Sequence, residues 1–186
     1  MIKETLNEIS HNFNKLSNSE AKIHDAIQII ISSLKNGKKI MFCGNGGSAA
    51  DSQHLAAELI GRYRINRSPL SALALSTDTS TITAVANDFS FNEIFSRQVK
   101  ALSQEGDVLY AISTSGKSKN ILMAIEEAKL NNVRVIGITG EDGGELNDKC
   151  DVLIKVPSGR PDRIQEMHIA VGQIICEEVE NYFFDS

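Results

Sequence analysis

His54 and Glu58 stand four residues apart in a stretch whose apolar spacing predicts a helix, so the two share one face. An imidazole beside a carboxylate can move protons, including between adjacent carbons next to a carbonyl. The same pair can bind a divalent metal, although two ligands do not complete a metal site. Asp51 lies a turn earlier. Immediately before this helix comes Gly44-Asn45-Gly46-Gly47-Ser48, which follows the apolar run Ile40 to Cys43. Strand, glycine loop and helix together aim backbone N–H groups and a positive helix end at an anion. A second loop, Ser113-Thr114-Ser115-Gly116-Lys117-Ser118, follows another apolar run, Val108 to Ile112. It offers hydroxyls where formal charge is scarce. Two such loops at strand ends suit a phosphate monoester. Neither is a Walker A loop, and Gly44, Gly46 and Gly47 lack GxGxxG spacing, so no nucleotide is expected. Arg163, Gln165, Glu166 and His168 cluster near the end of the chain. Their spacing alone reads as a polar surface face.

The elements that position these residues follow from periodicity. Residues 1–36 read as helix in two pieces, with Leu6, Ile9, Phe13 and Leu16 on one stripe and Ile23, Ala26, Ile27, Ile30 and Leu34 on the next. Ser17-Asn18-Ser19 divides them and offers caps, and Asn36-Gly37 ends the second. Further strands are expected at Leu70–Leu75, Val108–Ile112, Val133–Thr139 and Val152–Val156. Helices are expected to about Gly61, at Thr79–Ala86 capped by Ser76-Thr77-Asp78, at Asn92–Leu102, at Asn120–Leu130, briefly at Glu145–Lys149, and from Asp162 to about Tyr182. Asn87-Asp88 is expected to break the helix before it. The strands are continuous apolar runs alternating with helices, which favours a parallel sheet covered on both faces. The expected fold is a three-layer α/β/α sandwich on a five-stranded parallel sheet, preceded by N-terminal helices, in one structural domain. Residues 1–36 are expected to make oligomer contacts or cover the sheet.

The chain has 186 residues, 41% hydrophobic and 23% charged, with a net charge of −5. That charge argues against direct, nonspecific nucleic-acid binding. No segment approaches the ~20 apolar residues of a membrane span. The segment MIKETLNEISHNF lacks an apolar signal region, so a cytoplasmic protein is expected. Three cysteines, Cys43, Cys150 and Cys176, form no CxxC and read as reduced, buried small hydrophobes.

Five stretches in order, CGNGGSAADSQHLAAELIGRY, TAVANDFSFNEIFSRQV, ISTSGKS, ITGEDGGEL and RIQEMHI, resemble the SIS (sugar isomerase) domain family, above all its phosphoheptose isomerase branch. The resemblance runs from about Lys38 to the last helix. It implies a flavodoxin-like SIS domain over 37–186 and a homotetramer with sites at subunit interfaces. It also implies conversion of sedoheptulose 7-phosphate to D-glycero-D-manno-heptose 7-phosphate through an enediol, for lipopolysaccharide or capsule heptose. By that resemblance Asn45, Gly46, Gly47 and Ser48 hold substrate, Asn87 and Asp88 lie beside its polyol chain, and Ser113, Thr114, Ser115 and Ser118 cradle the phosphate. Glu58 is the implied base, and Gln165 the implied substrate and metal contact. Members can place a zinc ion between residues matching His54, Glu58, Gln165 and a histidine eight positions further on.

Here that position is Gln173. His168 does not replace it, because at ~100° per residue the two side chains leave the helix about 140° apart. Glutamine can hold a hydroxyl but does not titrate near neutrality, and it is a poor zinc ligand beside imidazole. Weakened metal binding is therefore expected, with Gln173 taking the catalytic histidine's place. Two other readings stay open: a non-catalytic SIS protein that binds the DnaA replication initiator, and a sugar-phosphate sensor.

Overall fold

The computed structural model describes residues 1–184. Its frame is five parallel strands: β1 (Ile40–Gly44), β2 (Ala72–Ala74), β3 (Val108–Ile112), β4 (Arg134–Thr139) and β5 (Val152–Lys155). They lie in the order β2-β1-β3-β4-β5, with β1 at the point where the order reverses. Successive strand residues face opposite sides. Ile40, Phe42, Val108, Tyr110 and Ile112 therefore join one core, while Met41, Cys43, Leu109 and Ala111 join the other. Helices α2 (Glu20–Lys35), α3 (Gly47–Ile60) and α7 (Pro161–Phe184) cover the first face. Helices α4 (Thr79–Asp88), α5 (Ser96–Leu102) and α6 (Lys119–Leu130) cover the second. The three-layer sandwich expected from the apolar runs is the fold observed.

α1 (Ile2–Leu16) lies outside these layers. It buries only Leu16 and leaves Ile2, Leu6 and Phe13 exposed, although Arg160 ties it to α7 by an ion pair with Glu8 at 3.0 Å.

Several boundaries differ from the sequence expectation. Ser17–Ser19 is a 3-10 turn, and the Ser19 hydroxyl donates to the Lys155 carbonyl (3.0 Å) instead of capping α2. β2 uses only Ala72–Ala74 of its apolar run, as an edge strand paired on one side. Asp78 does cap α4, accepting from the Thr81 N–H at 3.1 Å, but Asn87 and Asp88 form its last turn instead of breaking it. The expected helix 92–102 divides into a 3-10 turn, Phe91–Glu93, and α5. Between them the chain turns Ile94 and Phe95 into the core, each 2% exposed. The short helix expected at 145–149 is a 3-10 turn at Gly144–Leu146, preceded by Gly143 with φ of 75°, which no α-helix accepts. Cys43 and Cys176 are buried and Cys150 half-buried, all as free thiols.

α3 and α7 are joined at one end by a buried ion pair. The Glu180 carboxylate accepts the backbone N–H groups of Tyr63 (2.9 Å), Arg64 (2.7 Å) and Ile65 (2.9 Å), and the Arg67 Nε (2.7 Å). Both side chains are 1% exposed. Arg67 also donates to the Glu58 carbonyl (2.8 Å) and the Leu59 carbonyl (2.9 Å), so it closes the C-terminal turn of α3. The basic run Arg62–Arg67 thus serves the helix pair, with Arg64 on Glu177 and Arg67 on Glu180. Burial alone would raise the Glu180 pKa, but the three N–H donors and Arg67 outweigh it and pull it from 4.5 to about 2. The carboxylate's contribution is therefore complete above about pH 4.5 and disappears as pH falls toward 2. Glu180→Gln should cost about 3 kcal/mol in urea unfolding at pH 7, since it leaves Arg67 buried without a counter-charge. The gap between wild type and variant should narrow as the pH is lowered through that window.

Candidate active site

The glycine loop follows β1 and the hydroxyl loop follows β3, the two strands at the switch point of the sheet. This carboxyl-end crevice is where open α/β sheets bind ligands. In the glycine loop, Gly46 takes φ of 56°, a left-handed conformation that lets α3 start one residue later. The Ser48 N–H returns to the Asn45 carbonyl (3.0 Å), and the Ala49 N–H to that of Gly46 (3.0 Å). Ser48 is buried, while Gly46 and Gly47 are exposed. A Cβ on Gly47 would lie 2.9 Å from the Gln165 amide, so α7 delivers Gln165 directly over the start of α3.

The hydroxyl loop is held by backbone. The Gly116 N–H bonds to the Ser113 carbonyl (3.2 Å), and the Glu145 N–H to the Gly116 carbonyl (2.9 Å). Gly116 has φ of 65°, and a Cβ there would run into the Gly143 carbonyl. A Cβ on Gly144 would strike the Ser115 carbonyl in the same way. The ITGEDGG and STSGKS stretches therefore cross backbone to backbone. The Ser113 hydroxyl donates to the Ser118 hydroxyl at 3.2 Å, and Ser115 is exposed. Thr114, Ser115, Lys117, Gly140, Asp142 and Ser158 are among the residues lining a cleft of about 180 Å³ here. A larger cavity, about 800 Å³, lies at the opposite sheet edge beside Lys38, Gly106 and Arg134 and touches neither loop.

The third cluster joins α3 to α7. His54 Nε2 lies 2.9 Å from Glu58 Oε1. Gln173 Nε2 lies 3.1 Å from His54 Nε2 and 3.5 Å from Glu58 Oε1. The Glu58 side chain is 20% exposed and that of His54 54% exposed. Close approach of the two helices is possible because Gly172 faces Leu55; a Cβ there would come within 2.5 Å of the leucine. One turn before His54, burial pushes the Asp51 carboxyl up to about 6, with His54 pulling the other way.

Among the described residues, no side-chain hydrogen bond joins Asn87 or Asp88 to this group. They are exposed at the end of α4 and bond to each other (Asn87 Nδ2 to Asp88 Oδ1, 2.8 Å). His168 corrects the expected polar surface face: it is 2% exposed, and burial pushes its pKa down to about 4 despite the nearby Thr139 backbone. It is an uncharged core residue at neutral pH. Arg163 is also buried, at 8% exposed. Sequence reading missed Asn120, which is buried and exchanges two hydrogen bonds with Asn45. Its partner is 75 residues away, and no local pattern marks it.

The donors do not fit zinc well. Among the described residues, no group of three or more His, Cys, Asp and Glu side chains is gathered for a metal. His54 and Glu58 are two strong donors, but Gln165 and Gln173 add only carboxamides, and the Gln173 amide sits against both strong donors.

Fold and loops define the class: a doubly wound α/β protein with polar loops at the carboxyl ends of the two strands that flank the switch point of its sheet. The SIS domain family model matches residues 4–140. A phosphoheptose isomerase from a Nitratiruptor species is 55% identical over 161 residues, 87% of this chain and 86% of that one. One of Akkermansia muciniphila is 49% identical over 183 residues, 98% and 97% of the two chains. The solved phosphoheptose isomerase GmhA from Neisseria gonorrhoeae superposes with a TM-score of 0.87 at 39% identity, over 97% of this chain and 100% of that one. The chain belongs to the SIS domain family, in its phosphoheptose isomerase branch. No described helix is long and apolar enough to cross a membrane.

The loop crossing generates a direct test. Gly116→Ala combines left-handed strain with a clash against the Gly143 carbonyl. It should cost about 1–3 kcal/mol in thermal unfolding. Hydrogen exchange should also quicken at the Glu145 N–H, whose acceptor is the Gly116 carbonyl.

Proposed function

We propose that this protein is a sedoheptulose 7-phosphate isomerase, forming D-glycero-D-manno-heptose 7-phosphate through an enediol. The observation that carries the reading is the Glu58 carboxylate. It is partly shielded between α3 and α7, held by His54, and on the helix that leaves the glycine loop. Glu58 takes the proton from the hydroxyl-bearing carbon beside the carbonyl and returns it to the former carbonyl carbon, while the hydroxyl proton passes between the two adjacent oxygens of the enediolate. Charge on the substrate oxygens is met by the amide N–H groups of Gln165 and Gln173. Ser48 and the backbone of Asn45 to Gly47 bind the sugar, and Ser113, Thr114, Ser115 and Ser118 hold the phosphate with hydroxyls and N–H groups. The product would supply heptose for lipopolysaccharide or capsule, in the cytoplasm.

A homotetramer completes the site in this reading. Asn87 and Asp88 are exposed, and among the described residues their side chains bond only to each other, so a neighbouring copy can receive them against the polyol chain. Exposed Ile2, Leu6 and Phe13 on α1 supply apolar surface for such contacts. A groove of about 460 Å³ lined by Phe13, Ile23, Ile27 and Ile174 lies beside them.

Gln173 supports a second reading, a non-catalytic SIS protein that binds the DnaA initiator, because it removes a titratable group from the site. Incubation with sedoheptulose 7-phosphate, followed by NMR, separates the two. The wild type should form the aldose. Glu58→Gln should lose at least about 10²-fold in kcat while still binding the sugar phosphate. Equal rates in both proteins would remove Glu58 from the mechanism, and a silent wild type would favour the binding protein.

Zinc affinity is weak in this reading, because Gln173 offers an amide where imidazole would bind. Gln173→His should tighten zinc binding by about tenfold or more, read by titration calorimetry. Stoichiometric zinc surviving dialysis in the wild type, by elemental analysis, would overturn the argument.

A further inference from the structure

The glycine loop and the hydroxyl loop belong to different βα units, yet one pair of side chains joins them. Asn45 Nδ2 donates to Asn120 Oδ1 at 2.9 Å, and Asn120 Nδ2 donates back to Asn45 Oδ1 at 2.8 Å. The last registered pair of β1 and β3 is Gly44 with Ile112. Asn45 is the next residue of β1's chain, so the amide pair extends that seam beyond the sheet and into the crevice. Asn120 lies in the first turn of α6, immediately after the hydroxyl loop, and is 2% exposed. Its side chain makes no other hydrogen bond among the described residues. A closed pair of amide bonds fixes both orientations together, because turning one amide alone sets N–H against N–H and oxygen against oxygen. Each amide keeps one N–H and one lone pair. Asn45 can therefore still meet a ligand while Asn120 holds it in place.

We propose that Asn120 is a positioning residue that, through Asn45, sets the separation between the glycine loop and the hydroxyl loop and so the affinity for a ligand spanning both. The inference rests on the reading of the two loops as two ends of one sugar-phosphate site. A pair that served only the core would change stability without distinguishing ligands. A strut between loops weakens a ligand that touches both ends, and spares one that touches only the hydroxyl loop. Small misplacements of binding groups cost up to about 10²-fold.

The test compares wild type, Asn45→Ala, Asn120→Ala, the double variant and Asn120→Leu, which keeps the side chain's branched shape without adding charge should the alanine variant fold poorly. Each is assayed for turnover of sedoheptulose 7-phosphate and titrated with that sugar and with inorganic phosphate. For both Asn120 variants, KM and sugar-phosphate Kd should rise about tenfold, with kcat at saturation within about threefold and phosphate affinity within about twofold. The double variant should be no worse than Asn45→Ala alone, because Asn120 acts only through Asn45. Equal weakening of phosphate and sugar phosphate, additive effects, or an unchanged KM in both Asn120 variants would overturn the inference. If the wild type binds the sugar phosphate without converting it, the isomerase reading falls, and the comparison of binding constants still decides the strut. If the wild type turns over and the Asn120 variants keep its KM, the inference alone falls.

Discussion

Glu58 can meet Gln173 only if α3 and α7 run close together along their length, and a buried ion pair anchors that approach. Arg67 and Glu180 are each 1% exposed. Charges so buried are costly unless every lone pair and N–H is used. Here the carboxylate takes three backbone N–H groups and the guanidinium takes the end carbonyls of α3. The pair therefore stops α3 and secures it to α7 in one arrangement. Further along, the helices approach through Gly172 against Leu55, and at the far end Gln165 lies over Gly47. A side chain at either glycine would push the helices apart, and the carboxylate would lose its neighbours on α7.

The second constraint is backbone crossing backbone. Gly116 and Gly144 face the carbonyls of Gly143 and Ser115, too near for any Cβ. Main-chain contact of this kind leaves little freedom for rotamers to absorb, so the hydroxyl loop inherits the rigidity of β3 and β4. Its exposed Ser115 is thus presented from a fixed base. The glycine loop, in contrast, is fixed mainly by its own turn at Gly46 and by the amide pair with Asn120. One side of the crevice is braced by main chain and the other by two side chains.

Much of this fold was legible in the sequence, because buried parallel strands must be apolar runs, as Val108–Ile112 and residues 135–138 are. The two loops were legible because glycine and hydroxyl residues at strand ends carry their own backbone and hydrogen-bonding logic. Other features were hidden for equally physical reasons. The apolar run at Leu70–Leu75 overstates β2, since an edge strand pairs only where a neighbour reaches it. His168 reads as surface from its own helix, but α7 packs against the sheet, and what covers a residue is not written in its spacing. Asn120 was invisible because its partner is distant in sequence. The resemblance to a family drew attention to Gln173, and helical geometry showed that His168 could not replace a missing histidine there.

The contacts around Glu58 limit what its surroundings can do. His54 Nε2 is within hydrogen-bonding distance of both Glu58 Oε1 and Gln173 Nε2. One ring nitrogen cannot donate to the carboxylate and accept from the amide at the same moment. With a proton on Nε2, His54 donates to Glu58, and the amide of Gln173 must turn its oxygen inward. With Nε2 bare, its single lone pair accepts the amide N–H, and the Glu58 carboxylate is then left to the amide of Gln173 at 3.5 Å. Gln173 can follow that proton by rotating, but it has none to exchange. In the proposed isomerisation Glu58 is the carrier of the carbon proton, and the residue facing it on α7 is a neutral amide in place of the titrating ring that the family resemblance implies.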